Sequence, residues 1–199
     1  MDIKKIIGQI VFITMITSGI SFASTYHVEL NASYSDIEAR FDNTLALEQG
    51  FLTTGIGAVY SEDDYIIADV KLTLGDGILL SGLKFNLGFK GVLGNIEREG
   101  TKDGLIGAIG FLFSGKYSIP EAVSPIPIDV SVGINVAPEP LCFLDSDRYW
   151  GFRTSLDFRI VKNAAIILGY RYIEVRFYDD PGHWEMSDDT IFVGYQLSF

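Results

Sequence analysis

The chain is nearly without cysteine. Cys142 stands alone among 199 residues, so no internal disulfide framework can hold an exported form of it together. Cys142 reads as a small buried apolar residue or an unpaired loop thiol. Histidine is almost as scarce, with His27 and His183 only, and no zinc spacing, phosphate loop or nucleophile motif is present. No cofactor or metal is expected. Basic charge is in deficit: the formal net charge is −11, which removes the footprint that nucleic acid requires. After the first 23 residues no run approaches the roughly 20 apolar residues of a helical span. Amphipathic helices, low-complexity tracts and a second domain are also missing.

What is present is alternation. The final nine residues, Ile191–Phe199, place Ile191, Val193, Tyr195, Leu197 and Phe199 on one strand face. Phe192, Gly194, Gln196 and Ser198 fall on the other. An apolar terminal strand of this kind is an aggregation hazard in a soluble protein and a closing strand in a lipid-embedded barrel. Tyr195, Leu197 and Phe199 resemble the C-terminal assembly signal of bacterial outer-membrane barrels, which implies recognition by barrel-assembly machinery.

The other end of the chain carries the matching address. Lys4 and Lys5 precede an uncharged, mostly apolar stretch from Ile6 to Ile20, and Ser21-Phe22-Ala23 supplies a peptidase site. Residues 1–23 read as a cleaved secretory signal. Residues 24–199, roughly 176 in number, then form one domain. Removing Asp2, Lys4 and Lys5 moves the charge to roughly −12.

Nine further segments alternate before the last: Tyr26–Tyr34, Ile37–Asn43, Phe51–Tyr60, Tyr65–Leu74, Leu79–Val92, Leu105–Phe113, Ile126–Val136, Tyr149–Ile160 and Ala164–Val175. Stretches of about ten alternating residues between turn residues are the pattern of a transmembrane β-barrel. The expected fold is therefore all-β, a closed antiparallel up-and-down barrel of about 10 strands, with 8 or 12 as alternatives. Both termini are expected at the periplasmic end. Leu93–Gly104, Ala137–Arg148 and Phe177–Asp189 read as long outer loops, against tight turns at 75–77 and 161–163. The stretches 44–50 and 114–125 fit this asymmetry poorly.

Two features predict that the apolar face points outward. Gly55, Gly57, Gly88, Gly133, Gly151, Gly169 and Gly194 all fall on the polar face, where a narrow lumen needs small residues. Charge on that face also balances. Glu29, Glu38, Asp42, Asp69, Asp129 and Asp157 stand against Arg40, Lys71, Lys84, Lys90, Arg153, Arg159 and Arg171, as a lumen filled by ion pairs would require. Tyr34, Tyr60, Trp150, Tyr172 and Phe199 fit interfacial girdles.

Leu168-Gly169-Tyr170-Arg171-Tyr172-Ile173-Glu174 and Phe192–Phe199 resemble the YfaZ family of predicted outer-membrane proteins. The close resemblance covers about the C-terminal 35 residues. It implies a small barrel in the outer membrane, in contact with lipid and lipopolysaccharide, and no established substrate. The leading expectation is a structural or narrow-pore barrel of a Gram-negative bacterium without enzymatic activity. A rim enzyme acting on lipid or peptide would need a His near a carboxylate or a Ser-His pair. For it the chain offers His183 among Asp179, Asp180, Glu185, Asp188 and Asp189. That acidic group is also a weak candidate for a divalent cation. His27 is expected to hydrogen-bond within the lumen, with Glu29 as the nearest partner. A soluble periplasmic binding barrel, apolar inside, is the third alternative.

Overall fold

A computed structural model describes residues 24–62, 65–77, 82–97, 104–120, 124, 126–179 and 182–199. The export segment 1–23 and the start of the fifth expected strand, 79–81, lie outside the described residues. The elements are β1 (Ser24–Ala32), β2 (Asp36–Ala46), β3 (Phe51–Ser61), β4 (Tyr65–Asp76), β5 (Leu83–Ile96) and β6 (Gly104–Ser118). There follow β7 (Ile128–Ala137), a 3-10 turn (Glu139–Leu141), β8 (Cys142–Leu144), β9 (Ser146–Val161), β10 (Ala164–Asp179) and β11 (Gly182–Ser198).

Ten of these strands close an antiparallel barrel. Neighbours in sequence pair throughout, with β9 following β7, and β1 meets β11 to close the circle, from His27 opposite Ser198 to Ala32 opposite Val193. Closure leaves no lipid-exposed sheet edge, the condition for placing strands in a bilayer. The short β8 is an extra piece. It pairs with β6 at Ala108, Gly107 and Ile106, just where β7 has ended. The chain reverses after β8 through Leu144, the sole non-glycine with a left-handed backbone (φ 65°) among the described residues. Asp145 then caps the seam: its carboxylate accepts from the Leu105 N–H (3.0 Å). Ser146 Oγ donates to the Gly107 carbonyl at 2.9 Å.

The alternating faces are oriented as the glycines require. Ile191 is 70 % exposed, Phe199 69 % and Val70 59 %, and these side chains belong to a continuous outward apolar belt. The soluble barrel with an apolar lining is thereby excluded. Tyr26 stacks on both Phe41 (6.0 Å) and Phe199 (5.8 Å) at one rim. At the other, Trp150 packs on Phe152 and Tyr172. Phe199, Trp150 and Tyr172 of the expected girdles belong to these two groups, and Tyr34 and Tyr60 do not.

Connection lengths depart from expectation in an informative way. Phe177–Asp189 is not a loop: β10 runs on to Asp179 and β11 starts at Gly182, so a hairpin of 16- and 17-residue strands projects outward. About 9–11 residues suffice to cross a bilayer, so the remainder of each strand stands clear of it. Ala137–Arg148 contains the 3-10 turn and β8, and Leu93–Gly104 is shortened by β5 reaching Ile96. The two poorly fitting connections also shrink. β2 extends to Ala46, and the turn closes with the Leu47 N–H donating to the Gly50 carbonyl (3.1 Å), Gly50 being left-handed (φ 84°). β6 extends to Ser118. The termini and these connections share one end, which is the periplasmic one.

Candidate functional site

The lumen is layered, and each layer follows from which inward position a strand contributes. At the outer end the inward positions are apolar. Val59, Tyr65, Ile67, Val92, Ile96, Ile106, Ala108, Ala137, Tyr149, Ile173, Val175 and Phe177 are buried against one another. The Phe177 ring lies on Trp184 at 4.2 Å. These strands are apolar on both faces at this level, so alternation alone does not reveal the plug. It adds an apolar layer to the expected lumen of ion pairs.

Beneath the plug lies an ion-pair layer centred on Glu38. Its carboxylate accepts from Arg153 (2.6 Å), Arg40 (3.1 Å) and Asn31 (2.9 Å). Arg153 also pairs with Glu29, and its guanidinium covers the Phe192 ring at 4.4 Å, a cation–π arrangement. Arg171 pairs with Asp36 and donates to the Tyr65 hydroxyl (3.0 Å), which in turn donates to Asp188 (2.6 Å). Arg171 thus ties β10, β2, β4 and β11 together directly under the plug.

The third layer faces the periplasm. Lys71 pairs with Asp42 (2.8 Å) and Lys90 with Asp69 (3.1 Å). Lys116 pairs with Asp157 (2.9 Å) and Asp129 (3.4 Å), and Arg159 reaches Asp129 at 3.5 Å. Lys84 lies over the Phe51 ring at 5.7 Å. These groups surround a cavity of about 540 Å³ that Lys84, Lys116, Thr44, Ser131 and Gln196 help to line. Side chains therefore do not fill this half, contrary to the expectation of a lumen filled by ion pairs.

All thirteen charged residues expected in the lumen sit on the inward face, Arg159 at its rim. Three more join them. Lys116 lies on the same face of β6 beyond the expected strand end, and continuing the period of two from Leu112 through Ser114 reaches it. Asp36 and Asp188 were hidden because each lay within an expected connection. The additions are two acids and one base, so the balance persists. The glycines supply the space: a Cβ at Gly55 would overlap Asp42 and Lys71, and one at Gly169 would overlap the Phe192 ring.

His27 and His183 are both placed differently from expectation. His27 Nδ1 meets Ser198 Oγ at 2.7 Å, not Glu29. Asp42 is its register neighbour on β2 but binds Lys71, so the Ser-His contact lacks the carboxylate that orients a catalytic imidazole. His183 sits in strand β11, 3.5 Å from Asp147 and edge-on to Tyr178. The acidic group around it disperses. Asp188 turns inward to Tyr65 while Glu185 pairs with Arg148 outside, and Asp180 lies outside the described residues. No metal-holding group of His, Cys, Asp and Glu occurs among the described residues. The candidate assembly residues line up on the lipid face. Phe199 closes the barrel by donating its N–H to the Tyr26 carbonyl (3.0 Å) and accepting from the Tyr26 N–H (2.8 Å).

Three solved barrels are similar in shape. The KdgM porin has 11 % identity and a TM-score of 0.46, over 88 % of this chain and 99 % of its own. Neisserial surface protein A has 10 % identity and a TM-score of 0.39, over 88 % and 94 %. Omp33 of Acinetobacter baumannii has 10 % identity and a TM-score of 0.37, over 88 % and 98 %. No curated protein matches the sequence. The family model described as YfaZ precursor matches residues 3–199, which takes in the export segment as well as every strand. This chain belongs to the YfaZ family and is an integral β-barrel of the bacterial outer membrane.

Proposed function

We propose that this protein is a closed, non-enzymatic outer-membrane barrel whose lumen is a cup open to the periplasm. The observation that carries this reading is the buried outer plug, from Tyr65 to Phe177, backed by the Arg171 layer. A ten-stranded barrel is narrow enough for side chains to occlude it. Here the occlusion lies at one end only. His183 lies 3.5 Å from Asp147, and no serine or cysteine contact to it occurs among the described residues, which supports a non-catalytic rim. Outer-leaflet lipid, including lipopolysaccharide, is the partner of the β9–β10 aromatic strip, where Arg148 pairs with Glu174 (2.7 Å) at headgroup level. Barrel-assembly machinery reads Tyr195, Leu197 and Phe199 during biogenesis.

Reconstitution in planar bilayers tests the closed reading. The expected record shows no stable current steps at moderate voltage. Regular porin-like openings of the native protein would overturn it.

A further inference from the structure

The inner wall of the cup has an arrangement that folding alone disfavours. Lys71 on β4 stands directly opposite Lys90 on β5, and Lys84 on β5 stands directly opposite Lys116 on β6. All four point into the lumen. Directly opposed like charges destabilise a strand pair, and this wall contains two such pairs on three adjacent strands.

Neutralisation of these lysines is uneven. Lys71, Lys90 and Lys116 each reach an aspartate. Lys84 has no carboxylate partner among the described residues, while Asp129 is shared between Lys116 and Arg159. The surplus positive charge therefore collects at the mouth, where Lys84 is exposed and the Lys116 side chain is 36 % exposed. Asn86 and Ser114, adjacent on the same two strands, hydrogen-bond to each other at 3.2 Å and line the cavity above them. Gly115, between Ser114 and Lys116, puts no side chain on the lipid side.

We propose that Lys84 and Lys116 form an anion site at the periplasmic mouth of the cup, for a small solute bearing a phosphate-type oxyanion. Ammonium groups act as point charges that suit a tetrahedral oxyanion, whereas a planar carboxylate is better matched by the fork of an arginine. Arg40 and Arg153 are engaged deeper, around Glu38, and Arg159 at the rim is held by Asp129. The barrel wall separates the site from the bilayer, so the ligand is a dissolved solute and not a lipid headgroup. The periplasmic direction of entry rests on the closed reading above; the site itself does not.

Calorimetric titration of the folded protein with inorganic pyrophosphate tests the site. Micelles expose both ends of the barrel, so failure of the closed reading leaves this measurement intact. Saturable, salt-sensitive binding is expected. Lys84→Gln and Lys116→Gln should each weaken it at least fivefold, Lys84→Arg should retain it, and Arg148→Gln on the outer rim should leave it unchanged. Lys84→Gln removes a repulsion, so it should fold normally, as its heat-dependent gel mobility will show. No saturable binding by the native protein, or equal binding by folded Lys84→Gln, overturns the proposal. Loss of pyrophosphate binding in nanodiscs of phosphatidylglycerol, but not of phosphatidylcholine, would identify a lipid headgroup as the occupant and overturn the solute reading.

Discussion

Glu38 is the centre of the ion-pair layer. Four donors converge on or beside it, from Arg40, Arg153, Asn31 and, at 3.8 Å, Arg171. Removing one partner of a buried ion pair leaves an uncompensated charge and costs about 3 kcal/mol or more. Glu38→Gln keeps the shape and deletes the charge. Arg40, whose carboxylate contact among the described residues is Glu38 alone, is then stranded, while Arg153 and Arg171 keep Glu29 and Asp36. The variant should unfold at distinctly lower urea concentration in lipid vesicles, by about 3 kcal/mol. An unchanged midpoint would show that the network is not cooperative. Gly169→Ala tests the opposite need, for space. The added methyl group meets the Phe192 ring, which lies under Arg153. Overpacking of this kind costs about 1–3 kcal/mol, and the same urea titration reads it.

At the scale of the element, β11 and β1 decide whether the sheet becomes a barrel. Their pairing is short, six register pairs from His27 to Ala32 against sixteen between β10 and β11. Phe199 lengthens the seam by two backbone hydrogen bonds and a ring stacked on Tyr26. Deleting Phe199 should therefore lower the yield of heat-modifiable protein in the outer-membrane fraction several-fold, without altering strands remote from the seam. Normal assembly of that variant would sink the signal reading of Tyr195, Leu197 and Phe199. At the other terminus the first described strand begins at Ser24. Intact-mass measurement of protein from the outer membrane should give a mature form starting there, and a retained segment 1–23 would refute cleavage after Ala23.

For the molecule as a whole, the plug sets what can pass. Tyr149 and Phe177 are its largest rings apart from Tyr65, and neither takes part in a described ion pair. Replacing both with Ala should convert the silent barrel into one with small, unitary current steps. The lysine wall below then predicts anion preference, read as the reversal potential in a salt gradient. A double variant that folds and stays silent would place the barrier in the Arg171 layer instead. Much of this architecture is legible in the residues. Period-two patterning locates ten strands to within five positions, except for the start of the last, which lies at Gly182 and not Ile191, and it orients their faces, because a one-residue slip would turn every apolar side chain inward. The plug is not legible, since Ile173, Val175 and Phe177 are inward while Leu168 and Tyr170 are outward on the same strand. Apolar residues on both faces carry no directional signal. Asp188 and Lys116 were missed for a related reason: strands here outrun the membrane, and hydropathy marks only the part that crosses it.

The sequence by itself determined the export address, the all-β alternation, the outward apolar face and the near-neutral lumen. Each of these depends on local order along the chain, on period, on composition or on a terminal motif. Tertiary structure settled ten strands against eight or twelve, and it alone decided the partners of each charge, the one-sided closure and the four-lysine wall. Those depend on register between strands distant in sequence, such as Arg171 reaching Asp36 and Lys84 facing Lys116. No local pattern encodes such pairings; they arise when closure fixes every strand against its neighbours at once.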